Sequence, residues 1–208
     1  MFRDREAAGG QVAAAIREEG VPVDLVLAIP RGGLPVGRAV ADELGVPLDI
    51  VAAKKLSAPG NPELGIGAVA ADGSLWLNDS LIDGIGVTRE YVDSERARAA
   101  EVASEKAERY REGRSPPDIA GRSVAIVDDG VATGATMRVC LRAVRAAGAA
   151  RVILAVPVGA PDSLAALADA VDAVIAVERP SSFSAVAQHY ASFPQVTDEE
   201  AMAYLRRE

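Results

Sequence analysis

Cysteine, histidine, aromatic residues and positive charge are all in short supply in this chain, and each shortage closes a route. A single cysteine, Cys140, among 208 residues leaves no disulfide framework and no cysteine zinc site within the chain. Acidic residues outnumber basic ones, 30 to 22, for a formal net charge of −8. Such a chain gains nothing from the phosphate backbone of DNA or RNA, so nucleic acid is not the expected partner. No uninterrupted apolar stretch approaches the ~20 residues that a bilayer-spanning helix needs. The opening residues, Met1-Phe2-Arg3-Asp4-Arg5-Glu6, are charged and lack the apolar region of a signal peptide. The expectation is a cytoplasmic protein with no membrane partner.

What is plentiful is apolar surface. Half of the residues are hydrophobic, enough for a sizeable core in one domain of ordinary size with an appended substructure. Short apolar runs at 25–29, 48–53, 123–126, 152–156 and 173–177 read as strands buried on both faces. Helical patterns alternate with them, at 5–19 behind an Asp4 cap, 35–44, 137–147 and 163–170. Residues 57–63 read as a polar loop. Residues 66–78 alternate around Asp72-Gly73, a strong hairpin signal. A long charged helix is expected from a Thr88 cap to Arg111, stopped by Ser115-Pro116-Pro117, and a last helix over 198–206. Strands alternating with helices indicate an open, mostly parallel α/β sheet with helices on both faces.

The most informative segment is Val127-Asp128-Asp129-Gly130-Val131-Ala132-Thr133-Gly134-Ala135-Thr136. It places two carboxylates at the carboxyl end of a strand. A loop of small residues then leads into a helix N-terminus, where unpaired N–H groups and the helix dipole favour an anion. A phosphate fits that loop. The carboxylates repel phosphate and suit hydroxyl donors such as a ribose diol, so the ligand reads as a ribose 5-phosphate. The bland alternative is an ordinary strand-to-helix turn capped by Asp129 or Thr133.

This run resembles the phosphoribosyl pyrophosphate (PRPP) motif of the type I phosphoribosyltransferases. The whole layout is similar to a bacterial group within that family. The resemblance implies the family's core, with a small hood and a β-hairpin lid. It places the strand of the acidic pair beside the first strand, so that the loops after Ile29 and Val127 face each other. It also implies transfer of ribose 5-phosphate from PRPP to a nitrogen acceptor of nucleobase type, with release of pyrophosphate. In this scheme residues 133–136 hold the 5-phosphate, with Gly130, Val131 and Ala132 completing the loop. Asp128 and Asp129 hold the ribose hydroxyls. A Mg²⁺ ion is held mainly through PRPP and water, without a protein metal cage.

After the first strand, Arg31-Gly32-Gly33 lets the backbone approach an anion. It matches the family's pyrophosphate loop, which often carries a cis peptide there. Lys54 and Lys55 are read as ending the second strand. Alternation sends them to opposite faces, and either could reach pyrophosphate, Lys55 being the favoured one. Residues 57–78 stand where the family has its mobile lid, with Asn61 and Glu63 placed to touch pyrophosphate, its metal or the incoming nucleophile; the alternative is an ordinary connecting loop and hairpin. One departure matters. Hypoxanthine-guanine members carry an aspartate at the position of Ala132, and alanine cannot serve as a general acid or base.

The expected organisation is a core over 1–178 and a hood over 179–208 within one domain. The hood holds Phe183, His189 and Tyr190 as acceptor-binding candidates, since an aromatic face can stack on a flat base. Cys140 reads as a buried structural thiol. The charged helix over 88–111, with Lys106 and Arg109 among its charges, reads as a solvated face, as a homodimer contact, or as the source of a basic group donated to a neighbour's pyrophosphate. A non-catalytic regulator that senses PRPP would share the same motif, so the fold does not separate the two functions.

Overall fold

The structure is a computed structural model and describes residues 1–206, apart from the Glu63 side chain. Its centre is a five-stranded parallel sheet in the order β2-β1-β6-β7-β8. These strands are β1 (Leu25–Ala28), β2 (Leu48–Ile50), β6 (Ser123–Val127), β7 (Arg151–Val158) and β8 (Ala173–Glu178). The apolar runs form strands because both faces are covered. Val124 and Ile126 of β6 join one core cluster with Val139 and Leu141 of α5 (Ala135–Ala146) and Leu167 of α6 (Pro161–Ala168). Ala125 and Val127 point the other way and pack with Val12 and Ile16 of α1 (Arg5–Glu18) and Val36 and Val40 of α2 (Gly33–Leu44). Period-two alternation thus feeds two cores from one strand. Asp4 caps α1 by accepting the Ala7 N–H at 2.8 Å.

The segment after β2 departs from the sequence reading. The apolar run 48–53 is not one strand: β2 stops at Ile50, and the chain leaves the parallel sheet. It re-enters as β3 (Ala53–Ala58), which pairs antiparallel with β4 (Asn61–Ala70), and β4 pairs with β5 (Leu75–Leu77). Lys54 and Lys55 therefore sit near the start of β3, not at the end of the second strand. The expected loop over 57–63 is instead a tight reversal at Pro59-Gly60 between two strands, with Gly60 at φ +70°. The Asp72-Gly73 hairpin forms as expected, with Gly73 at φ +86°. This small sheet has an apolar underside: Leu56, Ile66 and Val69 pack with Val92 and Ala99 of α4 (Arg89–Arg111). A short helix, α3 (Asp79–Gly84), precedes α4 and was not anticipated. Thr88 caps α4 through its Oγ1.

The C-terminal stretch runs back across the top of the sheet. A 3₁₀ turn (Val186–His189) leads to α7 (Asp198–Arg206). Phe2 and Tyr190 pair there in an isolated bridge, with their rings 5.3 Å apart. Cys140 is fully buried, and burial pushes its thiol up. Among the described residues no helix is long and apolar enough to cross a membrane.

Candidate active site

The site forms where β1 and β6 end side by side. Ala28 is in register with Val127, and the Ile29 N–H continues the ladder by donating to the Val127 carbonyl at 2.9 Å. Their loops therefore face each other at the carboxyl edge of the sheet, where the strand order switches direction. The approach is close. A Cβ on Gly32 would stand 2.1 Å from Asp129 Oδ2, and one on Gly33 would stand 2.8 Å from the Val127 carbonyl. At Gly33 the clash would be with backbone, and at Gly32 with the Asp129 carboxylate that Arg5 holds in place, so glycine keeps the approach open at both. The Pro30–Arg31 peptide is cis.

The loop after β6 is braced from behind. Val131 bridges to Gly159: its N–H donates to the Val158 carbonyl and its carbonyl accepts from Ala160 N–H, each at 2.9 Å. Ser163 Oγ donates to the Ala132 carbonyl at 2.5 Å. Gly134, at φ +74°, turns the chain into α5. Thr133, Gly134, Ala135 and Thr136 line a small cavity of about 180 Å³ in front of the α5 N-terminus, with Asp128 at its edge. Asp129 lines a second and larger cavity of about 800 Å³. The acidic pair thus stands between the two spaces.

The two carboxyls are not equivalent. Asp129 Oδ2 accepts from Arg5 Nε at 2.8 Å, an ion pair with side chains only 16% and 9% exposed. Asp128 Oδ1 accepts from the Asp129 N–H at 2.9 Å. Burial pushes both above the usual carboxylate range, Asp128 the further because the Asp129 charge adds to it, while Arg5 draws Asp129 back down. Tyr190 supports the pair by donating its hydroxyl to the Asp129 carbonyl at 2.6 Å.

The large cavity is lined by Arg31 and Gly32 on one side and by Lys106 and Arg109 of α4 on another. Lys106 Nζ donates to the Pro30 carbonyl at 3.1 Å. Burial, with Arg31 and Lys54 nearby, pushes the Lys106 ammonium down. Lys54 and Lys55 line a neighbouring groove of about 410 Å³ against α4. They face opposite ways: Lys54 shares its side of β3 with Leu56, which packs on α4, whereas the Lys55 stem crosses Gly65.

Arg5 was not among the sequence candidates, and Lys106 and Arg109 entered only as charges of the long helix, whose basic groups were read as reaching a neighbouring subunit's pyrophosphate. Arg5 looks like the solvated first residue of a capped helix. The other two look like members of a charged helix face. Of the acceptor candidates, Tyr190 is buried and Phe183 stacks on His189 at 5.5 Å. His189 Nδ1 lies 3.2 Å from Glu178 Oε2. None of the three lines the large cavity, whose aromatic wall is Phe193, with the Arg5 guanidinium 3.6 Å above its ring.

A model of the phosphoribosyl transferase domain family matches residues 3–72 and 68–189. The chain belongs to this family. It is 40% identical, over its whole length, to a Mycobacterium tuberculosis protein provisionally named phosphoribosyl transferase Rv0571c. The chain spans about half the length of that relative, 47%. Among solved structures, the protein TT1426 from Thermus thermophilus is 41% identical, with a TM-score of 0.84 over 99% of this chain and 97% of that one. A purine phosphoribosyltransferase from Pyrococcus horikoshii shares the fold at 18% identity, with a TM-score of 0.51 over 93% and 92% of the two chains.

Proposed function

We propose that the chain transfers the ribose 5-phosphate group of PRPP to a nitrogen acceptor of nucleobase type, releasing pyrophosphate. The observation that carries this reading is the placement of the acidic pair between an anion-binding helix N-terminus and a basic cavity. The 5-phosphate sits on Thr133, Gly134, Ala135 and Thr136, where N–H groups and hydroxyls meet the positive end of α5. Asp128 and Asp129 accept from the ribose 2- and 3-hydroxyls. Arg31 and the backbone at Gly32 and Gly33 hold pyrophosphate. Lys55, with Lys54 as the alternative, adds charge to the leaving group from the neighbouring groove that both line. Phe183 remains the acceptor-stacking candidate.

The chemistry asks for positioning and charge. Positive charge grows on the ribose as pyrophosphate departs, and the carboxylates beside it favour that charge. The cations opposite neutralise the leaving group. In the proposed reaction a Mg²⁺ ion would be carried mainly by PRPP oxygens and water. Its contribution would be neutralisation of pyrophosphate charge.

The test is pyrophosphate release from PRPP and Mg²⁺ across a panel of purines, pyrimidines and simple nitrogen acceptors. A protein carrying both Asp128→Asn and Asp129→Asn serves as control. Acceptor-dependent release, lost in the control, is expected. PRPP binding without release from any acceptor would instead identify a non-catalytic PRPP sensor.

A further inference from the structure

Two elements outside the recognisable motifs, α4 and α7, meet at the pyrophosphate side of the cavity. Lys106, Arg109 and Tyr110 lie three and four residues apart on α4 and so share one helix face. Facing them is Asp198, the first residue of α7. Its Oδ1 accepts the Tyr110 hydroxyl at 2.5 Å and lies 3.7 Å from Arg31 Nη1. Its Oδ2 lies 3.0 Å from Arg109 Nη1. Lys106 completes the cluster through its bond to the Pro30 carbonyl, next to Arg31. Two guanidiniums and a hydroxyl thus meet one carboxylate at the cavity wall, with the Lys106 ammonium near enough for the Asp198 charge to act on it.

That carboxylate lines the same cavity as Arg31, Gly32, Lys106 and Arg109, where the function proposed above puts pyrophosphate. Pyrophosphate carries several negative charges and cannot share the same donors with Asp198, because like charges at this range repel. Building on the function proposed above, we propose that Lys106 and Arg109 of α4 bind the pyrophosphate group of the substrate. Asp198 is the internal anion that the group displaces from Arg109 and Arg31. The α7 carboxylate holds the cations in position, and its release accompanies binding. The sensor reading and the transferase reading both accommodate this exchange, since it concerns binding.

The inference predicts effects of opposite sign at neighbouring positions, which a merely structural cluster would not give. Binding of inorganic pyrophosphate and of ribose 5-phosphate is measured separately by calorimetry, with thermal unfolding as the check on folding. Lys106→Gln and Arg109→Gln are each expected to weaken pyrophosphate about tenfold, the order of one charge-assisted hydrogen bond. Lys106→Arg restores most of the affinity. Asp198→Asn is expected to tighten pyrophosphate about threefold, a modest gain because the carboxylate is partly exposed. None of these variants changes ribose 5-phosphate affinity. The inference is overturned if Asp198→Asn weakens pyrophosphate, if both α4 variants leave it unchanged, or if the parent protein binds none. Failure of ribose 5-phosphate to bind the parent protein would count against the phosphate-loop assignment instead.

Discussion

Arg5 and Asp129, 124 residues apart, form an ion pair at 2.8 Å that ties the start of the first helix to the acidic pair of the site. Arg5 also donates to the Pro194 carbonyl at 2.7 Å and covers the Phe193 ring. One guanidinium therefore joins three parts of the chain. Removing one partner of a well-buried pair leaves the other charge uncompensated, at a cost of about 3 kcal/mol. Arg5→Ala should lower stability by roughly that amount in urea unfolding. A loss under about 0.5 kcal/mol, the range of ordinary surface changes, would show that the pair is dispensable.

The approach of the two loops predicts a sharp contrast between glycines. A Cβ at Gly32 would overlap Asp129 Oδ2, whereas one at Gly10 meets nothing within 4 Å. Gly32→Ala should abolish detectable PRPP binding by displacing the acidic pair or its own loop. Gly10→Ala lies inside α1 and should instead stabilise by about 0.5–1 kcal/mol with binding intact. Retained PRPP binding in Gly32→Ala would contradict the facing-loop geometry.

The acidic pair also predicts a pH signature. Asp128 has a folded-state pKa above its unfolded value, because burial and the Asp129 charge both disfavour its ionised form. In the pH window between those two values the folded protein holds a proton that the unfolded chain has lost. Stability from this group is thus present at low pH and declines as pH rises from near 4, the ordinary aspartate value, toward the folded value. Asp128→Asn should flatten that part of the stability–pH curve. At neutral pH it should be about 1 kcal/mol more stable than the parent, the usual order for relieving a strained site, while losing PRPP binding. An unchanged curve in urea titrations from pH 4 to 7 would remove Asp128 as the source.

The motif segment was legible because its information is local: strand, acidic pair, small loop and helix follow one another within ten residues. The sheet was legible for a similar reason, since strands buried on both faces must read as apolar runs. The break between β2 and β3 was not. Val51 and Ala52, which link the two sheets, are as buried as strand residues, and no proline or glycine marks the point where the chain changes sheets. The roles of Arg5 and Asp198 were equally hidden, and Lys106 was visible only as one charge among many on a long helix. Each occupies an ordinary helix position in sequence, and only tertiary packing turns its charge toward the cavity.

The hood and the large cavity should separate in kinetics. Phe183 stacks on His189 beside Val186, whose methyl carbons would stand 2.7 and 2.8 Å from a Cβ on Gly130. That contact sets the hood against the motif loop, and neither Phe183 nor Val186 lines the basic cavity. Phe193 instead lines the basic cavity together with Arg5. If Phe183 stacks on the acceptor, Phe183→Ala should raise the acceptor KM about tenfold or more, the order of one lost base–aromatic contact, and leave the PRPP KM unchanged. Phe193→Ala should do the reverse, because it loosens Arg5 and with it Asp129. Initial-rate measurements varying each substrate in turn will distinguish the two. A rise in acceptor KM from Phe193→Ala, with none from Phe183→Ala, would move the acceptor into the basic cavity and displace pyrophosphate from it.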